Sequence, residues 1–376
     1  MKFSIALQAL GGAAMVTALS VPTKRQMLDL NLFGWFETIS LEDAQAAAAA
    51  DTDSANTDAS PEGVADTDST APTGTQTDAV TDDVSAAAVP SGPCATPHIR
   101  VEWRNMAEAD RQSFLSSVKC LMDAPAKGGF STAATNRYEE LVSVHQQMTN
   151  SIHMNGLFLP WHRYYVWVFM RLLREECGYT AAFPWWDEVK DGGHFAQSPL
   201  FTSAYFGSLP GSTNGQGTCI TDGAFGGRTL HIGPGTSNSA HCLARAVDEA
   251  QTANVNQNFM DTCNGRATYS DMESCSEMGP HAYGHNGIGA VMAEVSASPG
   301  DPIFFMHHSF VDRMWRKWQI KDDTRVRSIS GCATPGDNCT PLTLDTKLSS
   351  MGMREEVTVG DILDIYNDKM CYLYDY

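Results

Sequence analysis

The chain has 376 residues and carries 25 Lys and Arg against 44 Asp and Glu, a net charge of -19. That balance weighs against a nucleic-acid binder, which needs a basic surface to meet phosphates. The deficit is uneven. Residues 1–93 hold 13 acidic and 3 basic side chains, whereas all 11 His, all 10 Cys and seven of the 8 Trp lie in residues 94–376. The folded, working part is therefore expected over 94–376, long enough to bury a sizeable core.

The first residues read as a secretory signal over 1–20. Lys2 is a short basic start, Phe3 to Thr23 is uncharged, and Ala18 and Ser20 are small residues suited to cleavage. Gln8, Gly11, Gly12 and Pro22 dilute this stretch below the ~20 strongly apolar residues that a membrane anchor needs. Lys24-Arg25 is a dibasic pair, read either as a second processing site or as two ordinary solvated charges. Residues 26–40 are briefly apolar and suggest an amphipathic propeptide helix. From Leu41 to Pro93 the chain is Ala, Asp, Thr, Ser, Pro and Gly, with almost no large side chain to offset ordering entropy. Residues 21–93 are thus expected to be a propeptide and disordered acidic spacer, and 94–376 the catalytic domain.

Ten Cys in a secreted chain imply up to five disulfides. None sits in a CxxC pair, which argues against a zinc ribbon. Cys332 and Cys339 enclose a short Gly, Pro, Asn and Asp loop and are the easiest pair to propose; sequence alone leaves the others unpaired.

Within 94–376 the helix signals are strong and the strand signals few. Ala107 to Leu121 places Phe114, Leu115, Val118 and Leu121 near helical period. Asn136 to Met148 opens on an Asn cap with Glu139 three residues on. Trp161 to Cys177 is a long apolar helix stopped by Gly178. Ser198 to Ser239 reads as long loops, and His281 to Val295 and Ile303 to Lys321 as two more helices. The expected fold is mainly α, a helical-bundle core with long loops and few short strands, its site built from facing helices.

Histidine crowds into two places. His145, His153 and His162 form one set; His281, His285 and the pair His307-His308 form the other. Three imidazoles per set suit zinc, copper, iron or nickel. His281 and His285 are i,i+4 and project from one helix face, and His308 on the next helix is placed to supply a third ligand. His153 falls in a loop, because Asn155-Gly156 and Pro160 break the helix around it. No HExxH and no GxSxG occurs, which disfavours zincin-type and elbow-serine hydrolysis. Two all-His sites fit a paired metal centre with a small ligand between them.

These residues resemble a known family. HMNGLFLPWHRYYVWVF, His153 to Phe169, is similar to the first copper signature of tyrosinases and catechol oxidases. DPIFFMHHSFVD, Asp301 to Asp312, is similar to the second. PWWDE from Pro184, VEWRNM from Val101 and Tyr372-Leu373-Tyr374 resemble further segments of the fungal catalytic domain. The resemblance spans about residues 94–376. It implies a four-helix bundle around two copper ions, with dioxygen as co-substrate. His145, His153 and His162 would hold one copper, and His281, His285 and His308 the other. His307 would pack or hydrogen-bond behind the ligands, and Asp312 would orient a ligand imidazole or the following helix. Trp315 and Trp318 read as core aromatics. Val295, Phe304 and Phe305 read either as pocket wall or as core.

The chain departs from the family pattern at three points. Met170 stands where a Glu is usual, no Cys lies between His145 and His153 to form a thioether, and Ala282 follows His281 where strong monophenol hydroxylases carry Asn. Asn286 follows the second His of that set instead, and Glu277 is the nearby acid placed to hold a water. The implied reaction is oxidation of o-diphenols to o-quinones, with slow monophenol hydroxylation, by a secreted enzyme acting on small phenols, with no nucleic-acid or membrane partner. An o-aminophenol oxidase, a hemocyanin-like oxygen carrier and a dizinc hydrolase are the rivals. The carrier reading is weakened because the chain stops two residues after Tyr374.

Overall fold

The computed structural model describes residues 35–57, 94–336 and 338–376. The signal sequence expected over 1–20, the Lys24-Arg25 pair and residues 26–34 of the apolar stretch lie outside the described residues.

Helix α1 spans Leu41–Thr57, so the first part of the expected disordered spacer is helical. Alanine has the highest intrinsic helix propensity, and this segment is rich in it. The Ser40 hydroxyl accepts from the Asp43 N–H at 3.0 Å and donates to the Asp43 carboxylate at 2.7 Å, closing the first turn. Ala44 is fully buried. The expectation counted large apolar side chains and missed that a face of small ones lets a helix lie close against its neighbour. The preceding residues 35–40 have no regular structure, where a helix was anticipated over 26–40.

Helix α2 (Glu108–Asp123) buries Phe114, Leu115, Val118 and Leu121, the stripe its sequence indicates. Helix α3 (Arg137–Ile152) is capped by Asn136, whose side chain accepts from the Glu139 N–H at 2.9 Å. Helix α4 (Phe158–Cys177) begins three residues before Trp161. Pro160 falls in its first turn, where a missing N–H costs nothing. Gly178 ends α4 in the left-handed region at φ 67. Short helices α5 (Glu249–Thr252), α6 (Gln257–Asn264) and α7 (Tyr269–Ser276) lie in a stretch without sequence expectation.

The helix expected over His281–Val295 is shorter. A π turn, Glu277–His281, holds Pro280 and the non-helical Gly279, and α8 runs only over Ala282–Ile288. Gly289, at φ 74, stops it. Helix α9 (Ile303–Gln319) follows expectation. Helices α3, α4, α8 and α9 carry the clustered histidines and enclose them, with α4 packed along α9. The region 198–239 is mostly loop, with two-residue strands.

Few strands occur, but one set closes the domain. His98–Glu102 lies between Pro184–Trp185 and Tyr372–Tyr374 in a parallel sheet. This joins the first and last segments of the 94–376 body, and Cys94–Cys371 bonds them covalently. The other disulfides are Cys120–Cys177, Cys219–Cys242, Cys263–Cys275 and the expected Cys332–Cys339.

Asp312 on α9 is the hub beneath that sheet. Its carboxylate accepts from Arg163 Nε at 2.5 Å, Arg100 Nη1 at 3.1 Å, and the Tyr372 and Tyr374 hydroxyls, both at 2.5 Å. None of these partners is an imidazole, so of the two anticipated roles it takes the one that fixes the helix: it ties α4 and α9 to both ends of the body. Burial alone would raise its pKa, but Arg163, Arg100 and the two hydroxyls overcome this and hold it below the usual carboxylate range. Trp315 and Trp318 are fully buried, and the Arg163 guanidinium lies 3.7 Å over the Trp315 ring.

Candidate metal centre

His145 projects from α3, His153 caps the end of α3 and His162 lies one turn into α4. His281 ends the π turn, His285 sits on α8, and His307 and His308 sit on α9. Within the set His145, His153 and His162, ligand nitrogens lie within 4.8 Å of one another. The same holds for His281, His285, His307 and His308. The sets meet where the His162 and His308 rings stack, 4.3 Å apart and 12° from parallel.

Backbone carbonyls fix five of these rings. Nδ1 of His145 pairs with Ser296 O (2.8 Å), of His153 with Thr149 O (3.0 Å) and of His162 with Phe158 O (2.8 Å). Nδ1 of His281 pairs with Glu277 O (2.9 Å), and of His285 with Met292 O (2.7 Å). A carbonyl only accepts, so each Nδ1 carries the proton and each Nε2 presents a lone pair. The Nε2 atoms of His145 and His162 face each other at 3.4 Å. Two lone pairs in opposition are unfavourable unless a cation sits with them. His281 Nε2 is buried with no partner among the described residues. The donor set therefore fits a metal and lacks what a hydrogen-bonded core would supply.

Burial holds His145, His153, His162, His281, His285 and His308 below the ordinary histidine pKa. The values fall to about 3 for His145 and about 4 for His153. Neutral imidazoles need lose no proton to bind a metal.

Phe304 underlies both sets. Its ring centroid is 4.0 Å from that of His308, 5.3 Å from His145 and 5.7 Å from His285. Phe305 instead stacks on Phe169 at 3.7 Å, in the core. His307 Nδ1 meets the Glu188 carboxylate at 2.7 Å, both groups fully buried. Sequence reading missed Glu188, although it stands in the quoted PWWDE segment.

Glu277 is buried, and its carboxylate accepts from the Met154 N–H at 2.9 and 3.0 Å. Burial pushes its pKa up to about 7, against those bonds and a hydrogen bond with Glu273. Glu273, one turn earlier on α7, is held well above the ordinary carboxyl range by burial and by Glu277. The i,i+4 spacing of the two acids was the available signal. Ala282 is buried beside His281, and Val295 is half-buried in the turn before α9. Asn286 is buried, and its side-chain amide accepts from the Phe36 N–H and donates to the carbonyl of Phe36, a residue no sequence signal placed here.

Residues 135–321 match the family profile described as the common central domain of tyrosinase. The chain is 30% identical over 336 residues to Tyrosinase P of Aspergillus terreus, covering 76% of this chain and 94% of that protein. It is 27% identical to an N-acetyl-6-hydroxytryptophan oxidase of Emericella nidulans, covering 74% and 92%. A polyphenol oxidase variant from Thermothelomyces thermophila has the same fold, with a TM-score of 0.68 at 24% identity over 74% of this chain and 89% of that one. The chain belongs to the tyrosinase family of copper oxidoreductases.

Proposed function

We propose that His145, His153 and His162 hold one copper ion, that His281, His285 and His308 hold a second, and that the chain oxidises o-diphenols to o-quinones with dioxygen. The observation that carries this reading is the convergence of two neutral three-imidazole sets, joined through the stacked His162 and His308 rings. His308 is taken as the third ligand because its Nε2 faces that of His285 at 3.2 Å, as the Nε2 atoms of His145 and His162 face each other. Bound copper supplies the electron carriers through which two catechols reduce one dioxygen to two waters.

The chain's own groups bind and orient the phenol. The face of the buried His285 imidazole takes an aromatic ring by stacking, as it takes the Phe36 ring at 4.2 Å. Glu277, with its pKa raised to about 7, is the acid–base group nearest the sequence of this set. Ala282 carries no polar atom with which to hold a water for deprotonating a monophenol. Diphenols are therefore favoured and monophenols slow. The relative named for oxidation of a hydroxylated tryptophan derivative supports a phenolic substrate. Oxygen uptake with 4-tert-butylcatechol, phenol and o-aminophenol, together with copper analysis, tests this reading. Catechol turnover at two coppers per chain supports it; no uptake with catechol at full copper loading overturns it.

We read 94–376 as the catalytic domain and the chain as secreted, a reading supported by five disulfides. Among the described residues no helix is long and apolar enough to cross a membrane. N-terminal sequencing of secreted material should begin between Val21 and Cys94; a start at Met1 would refute secretion by this signal.

A further inference from the structure

A second cavity lies between α9, the turn that follows it, and the last residues of the chain. Its volume is about 490 Å³, and none of the clustered histidines lines it. Ile320 and Tyr376, 59% and 41% exposed, mark its open side. One turn of α9 supplies it with three cations, Arg313, Arg316 and Lys317, at i, i+3 and i+4. Asp323 is the only carboxylate side chain among the lining residues. In a chain with a net charge of -19, this local excess of positive charge runs against the whole.

The cations are incompletely matched. Arg316 Nη1 is buried with no hydrogen-bond partner among the described residues. Burial holds Lys317 below the ordinary lysine range and the Arg313 charge adds to this, while Asp187 and Asp261 offset it only in part. Arg313 is turned to the protein: its Nε donates to the Tyr376 main-chain oxygen at 2.6 Å, and its guanidinium lies 4.4 Å over the Trp185 ring. Arg316 and Lys317 are the two left to meet a ligand. The Arg316 guanidinium lies 4.8 Å over the Tyr366 ring, and Tyr374 and Tyr376 add further aromatic wall. Ile320, Ile365 and Leu373 make the wall aliphatic elsewhere.

We infer that this cavity is a second ligand site, distinct from the histidine cavity, and that it takes a small aromatic carboxylate. The carboxylate meets Arg316 and Lys317 and gives the buried Nη1 its acceptor; a guanidinium fork matches the two oxygens of a carboxylate. The aromatic body lies among the tyrosines and aliphatic side chains, an apolar wall with few polar groups of the kind that holds small molecules. Inorganic phosphate would answer the charge and leave that wall in water. A neutral aromatic would cover the wall and leave Nη1 without an acceptor. Because Tyr374 and Leu373 belong to the closing strand Tyr372–Tyr374, an occupant also joins α9 to that strand and stabilises the body.

Calorimetry on the full copper-loaded chain tests this with three probes. They are 2-naphthoate; 2-naphthylmethanol, which keeps the rings and loses the charge; and inorganic phosphate, which keeps the charge and loses the rings. Hydrogen bonds to a charged acceptor predict that naphthoate binds at least about tenfold more tightly than either of the others. Arg316→Gln should weaken naphthoate binding at least about tenfold, by the same bonds. Lys317→Gln should weaken it about threefold, and Asp323→Asn, which removes the opposing charge, should tighten it about twofold. Saturating naphthoate should raise the thermal unfolding midpoint of the parent chain and leave that of Arg316→Gln where it is. Naphthylmethanol or phosphate binding as tightly as naphthoate overturns the ligand class. Naphthoate binding that neither Arg316→Gln nor Lys317→Gln weakens, or an equal rise in midpoint in parent and variant, overturns the site. Lys317→Gln decides the matter by itself if Arg316→Gln does not fold. No readout uses catechol turnover, so the result stands apart from the catechol-oxidase reading.

Discussion

The two histidine sets are mounted differently. His145 and His162 stand on helices of 16 and 20 residues that are buried along most of their length, and His153 sits at the cap joining them. His281 and His285 stand on a π turn and a seven-residue helix, bounded by Gly279 and Gly289. His285 is held by the carbonyl of Met292, beyond the end of its own helix. The first set is positioned by regular helix packing. In the second, His308 stands on the long helix α9, whereas His281 and His285 depend on the π turn and on the positive-φ turn at Gly289, and it is the side on which the Phe36 ring stacks. Regular helix packing carries the first set, and the stacked Phe36 ring lies on the second.

The sharpest way to break this comparison is to remove one ligand from each half. We expect His162→Ala and His285→Ala each to abolish catechol oxidation and to lower the copper content from two ions to one, measured by elemental analysis. Full activity with two coppers in either variant would sink the ligand assignment.

The next effect falls on the packing of α4, which carries His162, against α9, which carries His308. Asp312→Ala leaves Arg163 and Arg100 buried without their carboxylate, a loss of about 3–5 kcal/mol in denaturant unfolding. Because the folded pKa of Asp312 lies below its unfolded value, this stabilisation is complete above about pH 4 and is lost as pH falls through the folded value. The gap between wild type and Asp312→Asn should accordingly be full at neutral pH and close in stronger acid. A gap that widens on acidification would show the sign to be wrong.

The second set is probed at Gly289. A Cβ there would meet Ala246 O at 2.3 Å, in a backbone conformation with φ 74. Gly289→Ala should cost about 1–3 kcal/mol and lower catechol turnover more than copper content. Equal loss of both would mean that the turn holds the metal and not the substrate face. The smallest effect expected is at position 282. Ala282→Asn should raise monophenol over catechol turnover a few-fold, within the range that general-base assistance supplies, read as the ratio of initial rates. An unchanged ratio would detach selectivity from this position.

Much of the scaffold was legible because it rests on short-range signals. The Asn136 cap, the Gly178 stop and the 3.6-residue stripe of α2 each act within a turn or two, and each appears where the sequence places it. The crowding of histidine into two sets was legible too, since few folds leave so many imidazoles together without a metal. What escaped the reading depends on tertiary contact. The break at Gly289 exists because Ala246 O comes close, 43 residues away in sequence. The role of Asp312 is set by Arg100 and two tyrosines from opposite ends of the body. Helix α1 looked like spacer because alanine-rich sequence says little about docking. Phe36 sits 250 residues from Asn286, and no local pattern marks one residue as the guest of the other.

The bond between Cys94 and Cys371, beside the paired strands His98–Glu102 and Tyr372–Tyr374, turns the chain from 94 to 371 into a covalent ring. A single cut in any loop between those cysteines opens the ring into a line and releases no fragment until the bond is reduced. A cut before Cys94 acts on the other kind of topology, an open tail. Proteases that meet this molecule can shed what lies in front of the ring in one event, whereas dismantling the ring itself takes two cuts or a reductant.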